Sequence, residues 1–290
     1  MKTENYVTLF DTKYLPQGIA LYNSLVKTRS DFILWIICVD LTCYETLSHL
    51  SQHFPKSRLI HLKDHETENY RKLKCDRSIG EYCWTLTPYA FNIVFSLDSG
   101  IERLTYLDAD LWLRKSPHDI FQELELSQKS VLITDHAYSP EHDQSATSGQ
   151  YCVQFLTFYR DNTIDIREKW ASQCIDWCYA KAEFGKFGDQ KYLDVWPEEY
   201  SDRVHVLKDE GLLLGPWNAT RFPYGRSVAW HFHGLKLFKK PDNNLGLIIT
   251  TDTYTIPNVA QVNVYKPYID ELIVALELMK PFDILDKFLS

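Results

Sequence analysis

The sequence predicts an α/β fold: one large domain with a mostly parallel central sheet flanked by helices, and a C-terminal extension of loops and a helix. Three observations carry that expectation. The chain opens on a strand–helix–strand pattern over residues 6–39. An apolar strand, Leu104 to Leu107, stops abruptly at two carboxylates one residue apart, Asp108 and Asp110. With 290 residues and 45% hydrophobic content the chain can bury a single large core.

In order, Tyr6 to Phe10 reads as the first strand, and Leu15 to Lys27 as a helix with Pro16 in its first turn and Ile19, Leu21, Leu25 and Val26 available for packing. Phe32 to Val39, the longest apolar stretch, is a buried second strand ending at Asp40. A helix over Glu45 to His53 and a strand over Arg58 to Leu62 follow, and the charged stretch Lys63 to Arg77 reads as an exposed loop. Thr85 to Leu97 is helical despite its β-branched residues and feeds the strand ending at Asp108, so residues 1–115 form a nucleotide-binding half. In the second half of the same domain, residues 116–240, a helix at His118 to Leu124 and a strand at Ser130 to Thr134 precede a polar segment, Asp135 to Gly149, expected to be mobile. A strand over Tyr151 to Phe158, a long helix over Ile164 to Glu183, and strands at Val204 to Leu207 and Val228 to His233 complete it. The extension, residues 241–290, carries a helix in which Ile269, Leu272, Ile273 and Leu276 fall at helical spacing.

Charge and cysteine content exclude several functions. The net charge of −8, from 31 basic and 39 acidic residues, argues against a nucleic-acid binder held by phosphate neutralisation; an anionic substrate needs a metal or a local basic cluster. Seven cysteines, at 38, 43, 75, 83, 152, 174 and 178, contain no Cys-x-x-Cys and read as reduced thiols of a cytoplasmic protein. Cys174 and Cys178 share a helix face, where packing is the ordinary role. The segment from Lys2 and Glu4 onward lacks the apolar core of a signal peptide, and no run reaches membrane-spanning length, so membrane contact is at most peripheral.

Chemistry concentrates in three segments. In extended backbone, positions i and i+2 point to one side, so Asp108 and Asp110 offer two hard oxygen ligands to one spot, suited to Mg²⁺ or Mn²⁺ between protein and a diphosphate. In His231-Phe-His233-Gly234-Leu-Lys236, either imidazole can complete a carboxylate metal site, Gly234 lets backbone approach a phosphate, and Lys236 supplies positive charge; the alternative is an edge strand whose histidines bond only to neighbours. In Gly188-Asp189-Gln190, Asp189 reads either as a helix cap or, with Gln190, as a pair suited to sugar hydroxyls. Trp217, in a Gly-Pro-Trp-Asn loop, reads as an exposed ring able to stack on a sugar or base.

Taken in order, these segments resemble the GT-A (Rossmann-like) glycosyltransferases, specifically bacterial enzymes related to glycogenin and the lipopolysaccharide galactosyltransferases. The resemblance runs through Tyr6-x-x-x-Phe-Asp-Thr-Lys-Tyr14-Leu-Pro, Glu81-Tyr-Cys-Trp-Thr-Leu-Thr-Pro88, Leu-Asp108-Ala-Asp110-Leu, Gly149-Gln-Tyr-Cys-Val-Gln-Phe155, Phe187-Gly-Asp-Gln-Lys-Tyr-Leu-Asp194, Pro216-Trp-Asn218 and His231-Phe-His-Gly-Leu-Lys236. It implies a divalent metal, Mn²⁺ or Mg²⁺, held by Asp108, Asp110 and His231, with His233 the alternative. It also implies a UDP-sugar donor whose base meets Asp11 and Tyr14, a diphosphate contacted by Lys236, and a glycan or lipid-linked glycan acceptor. Residues 116–240 become the donor-sugar and acceptor half, with Asp189 and Gln190 at the reacting sugar and retention of configuration implied. The chain departs from the family at two places: the lysine falls one position early, Leu237 holding its usual place, and Cys152, Gln154 and Phe155 stand where related sequences read Asn, Gly and Trp.

Two other readings compete. A catalytically silent carbohydrate-binding protein would keep the fold without turnover. A sugar nucleotidyltransferase would show a glycine-rich basic signature after its first strand, which Phe10 to Gly18 lacks.

Overall fold

The computed structural model describes residues 3–28, 31–222, 225–239, 245–249, 254–282 and 284. Lys2 and the stretches 240–244 and 250–253 of the extension lie outside the described residues. The chain begins β1 (Glu4–Phe10), α1 (Leu15–Lys27), β2 (Phe32–Cys38), α2 (Leu41–His49), β3 (Ser57–His61), α3 (Glu68–Leu73), α4 (Ile79–Leu97) and β4 (Arg103–Leu107). It continues through β5 (Leu111–Leu113), α5 (His118–Ser127), β6 (Val131–Asp135), α6 (Ser145–Ser148), β7 (Tyr151–Tyr159), α7 (Ile164–Asp176), α8 (Trp196–Glu199) and β8 (Val204–Val206). It ends with β9 (Leu213–Leu214), β10 (Ala229–His231), β11 (Leu235–Lys239), β12 (Leu245–Ile249), α9 (Asn258–Ala260) and α10 (Lys266–Met279).

A seven-stranded sheet in the order β3-β2-β1-β4-β7-β6-β8 forms the centre. All its pairings are parallel except those of β7, which runs against both β4 and β6. The carboxyl ends of β1, β2, β4 and β6 therefore share one edge with the start of β7, and ligands of open α/β sheets bind at that edge. Beyond it, β5, β10 and β9 make a small second sheet, and β11 pairs with β12 as a hairpin.

The alternation of side chains along β1 divides the core. Tyr6 and Phe10 join Leu15, Ile19 and Leu25 of α1 on one face, and Val7 and Leu9 join Leu86, Phe91 and Val94 of α4 on the other. A third cluster ties α10, through Tyr268 and Leu272, to Trp230 and Phe232 beside β10. Helix α1 lies so close to β1 that a Cβ added at Gly18 would sit 2.3 Å from the buried Phe10 ring. Gly18→Ala gains up to about 1 kcal/mol of helix propensity but overpacks this contact by about 1–3 kcal/mol. A net loss of stability is expected, read as a lower denaturation midpoint in urea.

Four expectations are corrected. Lys63 to Arg77 is not an exposed loop: it carries α3 and buries Glu66, Tyr70 and Arg77. Its charges turn inward because they find partners, Glu66 taking Lys74 at 2.6 Å, Arg71 at 3.5 Å and the Tyr82 hydroxyl. Helix α7 stops at Asp176, short of Glu183, where Arg77 donates to the carbonyls of Cys174 at 2.8 Å and Ile175 at 2.6 Å, satisfying two acceptors that the helix end leaves open. Helix α4 starts six residues before Thr85, at Ile79, set by a capping box between Ser78 and Glu81. The helix expected over Glu45 to His53 begins at Leu41 because Asp40 caps it, and a separate turn covers Ser51–His53. The segment 135–149 holds a turn at Pro140–His142 and the short α6. All seven cysteines are unpaired thiols, and no described helix is long and apolar enough to cross a membrane.

Candidate active site

β4 ends in a turn, Leu111 N donating to Asp108 O at 3.0 Å, and the chain doubles into β5. Asp108 and Asp110 thus converge across this turn rather than along extended backbone, as the i, i+2 argument assumed. β10 pairs antiparallel with β5, setting His231 opposite Leu111 and its imidazole against the carboxylates. His231 Nε2 lies 3.1 Å from Asp110 Oδ1 and 3.7 Å from Asp108 Oδ2, and one ligand atom from each residue falls within 4.8 Å of the others. Two carboxylate oxygens and one imidazole nitrogen form a donor set that suits Mn²⁺ or Mg²⁺. His233 lies in the turn after β10, its ring 5.9 Å from that of His231 and outside this group. Of the two histidines, His231 is therefore the one brought to the carboxylates.

The local charges depend on one another. Burial pushes Asp108 up to about 6, with Asp110 adding to the rise and His231 pulling against it. Burial also favours the neutral form of Asp110, but the His231 charge and hydrogen bond outweigh it and hold this carboxyl below its ordinary value. Burial disfavours a charged His231, yet the carboxylates, Asp110 first, keep it well above the ordinary imidazole value.

Trp217 supports the His231 ring, and here the structure corrects the expectation of an exposed platform. The indole is only 3% exposed and meets His231 edge-on, with ring centroids 5.3 Å apart at 90°. Gly215 makes room for it, since a Cβ there would lie 2.7 Å from the indole. Trp217 Nε1 and Asn218 Nδ2 both donate to His136 O at 2.8 Å, fixing the Gly-Pro-Trp-Asn turn against the end of β6.

These groups line a cavity of about 300 Å³ at the carboxyl edge of the sheet. Asp11 and Tyr14, from the turn after β1, form part of one wall; Asp11 accepts from Lys13 N at 3.1 Å, and burial, with Asp40 nearby, raises its pKa. Asp189 and Gln190 also line it. Asp189 is no helix cap: it is 3% exposed, its Oδ2 has no hydrogen-bond partner among the described residues, and burial, with the Asp108 charge adding, pushes it up to about 7. Gly188 places it there, taking a left-handed φ of +51° against the face of Trp84. Gln190 Nε2 donates to Ser148 O at 2.7 Å. Gly234 and Lys236 do not line the cavity: Gly234 turns the chain at φ +77° and Lys236 is exposed on β11.

Sequence reading missed His136 and Tyr138, whose rings stack in the cavity wall at 4.7 Å and 13°. Burial lowers His136 to about 3, so it is a neutral imidazole, its Nδ1 3.0 Å from Gln150 O. Their position after β6 was the available signal, because that strand ends at the same sheet edge as β4. Tyr254 lines the cavity too and accepts from Gln144 Nε2 at 3.2 Å.

No family model matches the chain. Two curated relatives from Bacillus subtilis (strain 168), both described as uncharacterized, are YfnD, 29% identical over 93% of this chain and 88% of its own, and YfnF, 27% identical over 96% of each. Among solved structures, the galactosyltransferase LgtC, in complex with donor and acceptor sugar analogs, superposes with a TM-score of 0.56 at 11% identity, over 93% of this chain and 95% of that one. The chain has the GT-A fold. The apo glycosyltransferase GlyE of Streptococcus pneumoniae TIGR4 also gives a TM-score of 0.56, at 14% identity over 98% of this chain and 64% of that one. Mouse xyloside xylosyltransferase 1 gives 0.50, at 14% identity over 79% and 97%. The turn after β4, tied to β7 by Asp108 N donating to Gln154 O at 3.1 Å, and the pairing of β5 with β10 set the acidic pair against His231.

Proposed function

We propose that the chain is a metal-dependent glycosyltransferase that moves a sugar from a UDP-sugar to a hydroxyl of a cell-surface glycan or its lipid-linked precursor, with retention of anomeric configuration. The observation that carries this is the convergence of Asp108, Asp110 and His231 in the wall of the cavity that also holds Asp189 and Gln190. The likeness to LgtC, whose structure holds donor and acceptor sugar analogs, supports the reaction class. Unpaired thiols fit the cytoplasm or the inner face of its membrane as the place of action.

Asp108, Asp110 and His231 would hold the cation, which supplies Lewis-acid stabilisation of the departing diphosphate. Asp11 and Tyr14 flank the base, with the Tyr14 ring available to stack on uracil. Gln190 gives one Nε2–H to the backbone of Ser148, which leaves Oε1 to accept from a substrate hydroxyl and the second N–H to donate. Burial first, and the Asp108 charge second, raise the Asp189 pKa, and both residues line the one cavity. Retention of configuration rests on the resemblance to the glycogenin and lipopolysaccharide galactosyltransferase group.

A screen of nucleotide-sugars by thermal shift and by nucleoside diphosphate release tests the reading. At a hundredfold excess over Kd, a matching UDP-sugar with Mn²⁺ adds about 2.7 kcal/mol of stability, a rise in Tm on the order of 5 °C. UDP release should accompany it. Binding without release for any donor and acceptor would leave a silent carbohydrate-binding protein instead.

A further inference from the structure

We propose that Asp40, which is not part of the cavity wall, is a positioning residue for the nucleotide: it pins the turn that presents Asp11 and Tyr14. This rests on the uridine-nucleotide reading above. That turn, Thr12–Tyr14, follows directly from β1. The parallel pairing of β1 and β2 holds its base, Val39 N donating to Phe10 O at 3.0 Å. Beyond that point the ladder ends, and Asp40 takes over. Its Oδ2 accepts from Thr12 N at 2.7 Å and its Oδ1 from Thr12 Oγ1 at 2.5 Å, so one carboxylate grips both polar groups of a residue 28 positions away. Oδ1 also accepts from Cys43 N at 2.8 Å, capping α2.

Asp40 therefore joins a helix start to the base-binding turn through three charge-assisted bonds. Thr12 is buried and, like Asp40, does not line the cavity. Neither residue touches substrate; both act through Asp11 and Tyr14. Tyr14 is 44% exposed as a residue, so the placement of its ring in the cavity wall depends on the turn that carries it. With the tether in place, the turn is ordered before the nucleotide arrives, and binding pays less ordering entropy. The consequence falls on nucleotide affinity rather than on chemistry at the distant anomeric carbon.

Asp40→Asn separates the two duties. Asparagine caps a helix as well as aspartate, and an Asn oxygen kept on Cys43 N turns the amide Nδ2, a donor, toward the Thr12 N–H. Thr12→Ala removes the hydroxyl arm from the other side, and Thr12→Ser keeps it. The experiment measures UDP affinity by calorimetry in saturating Mn²⁺, with Mn²⁺ affinity alone and Tm as controls, and KM and kcat for the donor found in the screen. UDP affinity is expected to weaken about tenfold, or about 1.4 kcal/mol, in Asp40→Asn and measurably in Thr12→Ala. Thr12→Ser should match wild type, kcat should be kept, and Mn²⁺ affinity should not change. Should Asp40→Asn fail to fold, the Thr12→Ala and Thr12→Ser pair carries the test. Wild-type affinity for UDP in both Asp40→Asn and Thr12→Ala, or in Thr12→Ala alone if the other does not fold, overturns the inference while leaving the function intact. Equal losses of kcat and Mn²⁺ affinity also overturn it, because a general disturbance would produce them. A wild-type protein that binds no uridine nucleotide overturns the functional reading itself and this inference with it.

Discussion

Asp110→Ala is expected to abolish the Mn²⁺-dependent thermal shift and to lower UDP release by about 10³-fold, the upper scale of losing one preorganised charge-stabilising group. Asp110 is the closer carboxylate to His231, with 3.1 Å between Oδ1 and Nε2 against 3.7 Å for Asp108. Its removal leaves Asp108 and His231, two ligands where three converged. The loss should not reflect unfolding. Asp110 lies in the cavity wall with 15% of its side chain exposed, so the substitution costs about 1–3 kcal/mol from the hydrogen bond taken from buried His231. Circular dichroism should show the same secondary structure with a modestly lower Tm. A variant that keeps the manganese shift would remove Asp110 from the ligand set.

The acidic pair could be read from sequence because its signal is local. Leu104 to Leu107 is too apolar for anything but a buried strand, and an Asp directly after such a strand must lie at its carboxyl end. The turn that makes the two carboxylates converge is less visible, since Ala109 and Leu111 carry no turn signature. β5 and β9 are three and two residues long and gain their order from pairing with β10, which leaves no period to detect, whereas β10 falls inside the strand read over Val228 to His233.

Trp217 shows a second limit. Gly-Pro-Trp-Asn has the composition of an exposed loop, and only the carbonyl of His136, 81 positions earlier, turns the indole inward. Lys63 to Arg77 fails for a similar reason, because Glu66 and Arg77 are buried partly through Tyr82 on α4 and the end of α7, partners that composition cannot supply. Local stops and caps lie within a few residues and are open to a sequence reading, even though that reading places the starts set by Asp40 and Ser78 too late; pairing between remote polar groups is not. Asp40 belongs to both classes. Its cap on α2 lies within three residues, and its grip on Thr12 appears only when β1 and β2 are set side by side.

Asp189→Asn should move activity and stability in opposite directions. With its pKa pushed up to about 7 by burial first and Asp108 second, Asp189 is neutral in the folded metal-free protein below that pH, whereas in the unfolded chain it ionises near 3.8. Between those values the folded state binds more protons, so stability falls as pH rises through the window. The gap bounds the effect at about 4 kcal/mol. Asparagine carries no charge and copies the neutral acid: an unpaired Nδ2–H replaces the O–H that Oδ2 would carry without a partner. The variant should match wild type near pH 4 and exceed it at pH 8, as measured by urea denaturation of the metal-free proteins across that range. Asp108, with its own value of about 6, titrates in both proteins, so the buried acid is read from the difference between the two curves above pH 6. Once a cation neutralises Asp108, Asp189 loses part of what holds it neutral and can present a carboxylate to the transferring sugar. Sugar transfer by the variant should fall by about 10²-fold or more. A parallel pH dependence in the two proteins would refute the buried acid, and full activity in the variant would refute its place at the reacting sugar. The two results together, a stabler protein that no longer transfers, would mean that the wild-type carboxyl is kept in the cavity for its chemistry at the expense of the fold.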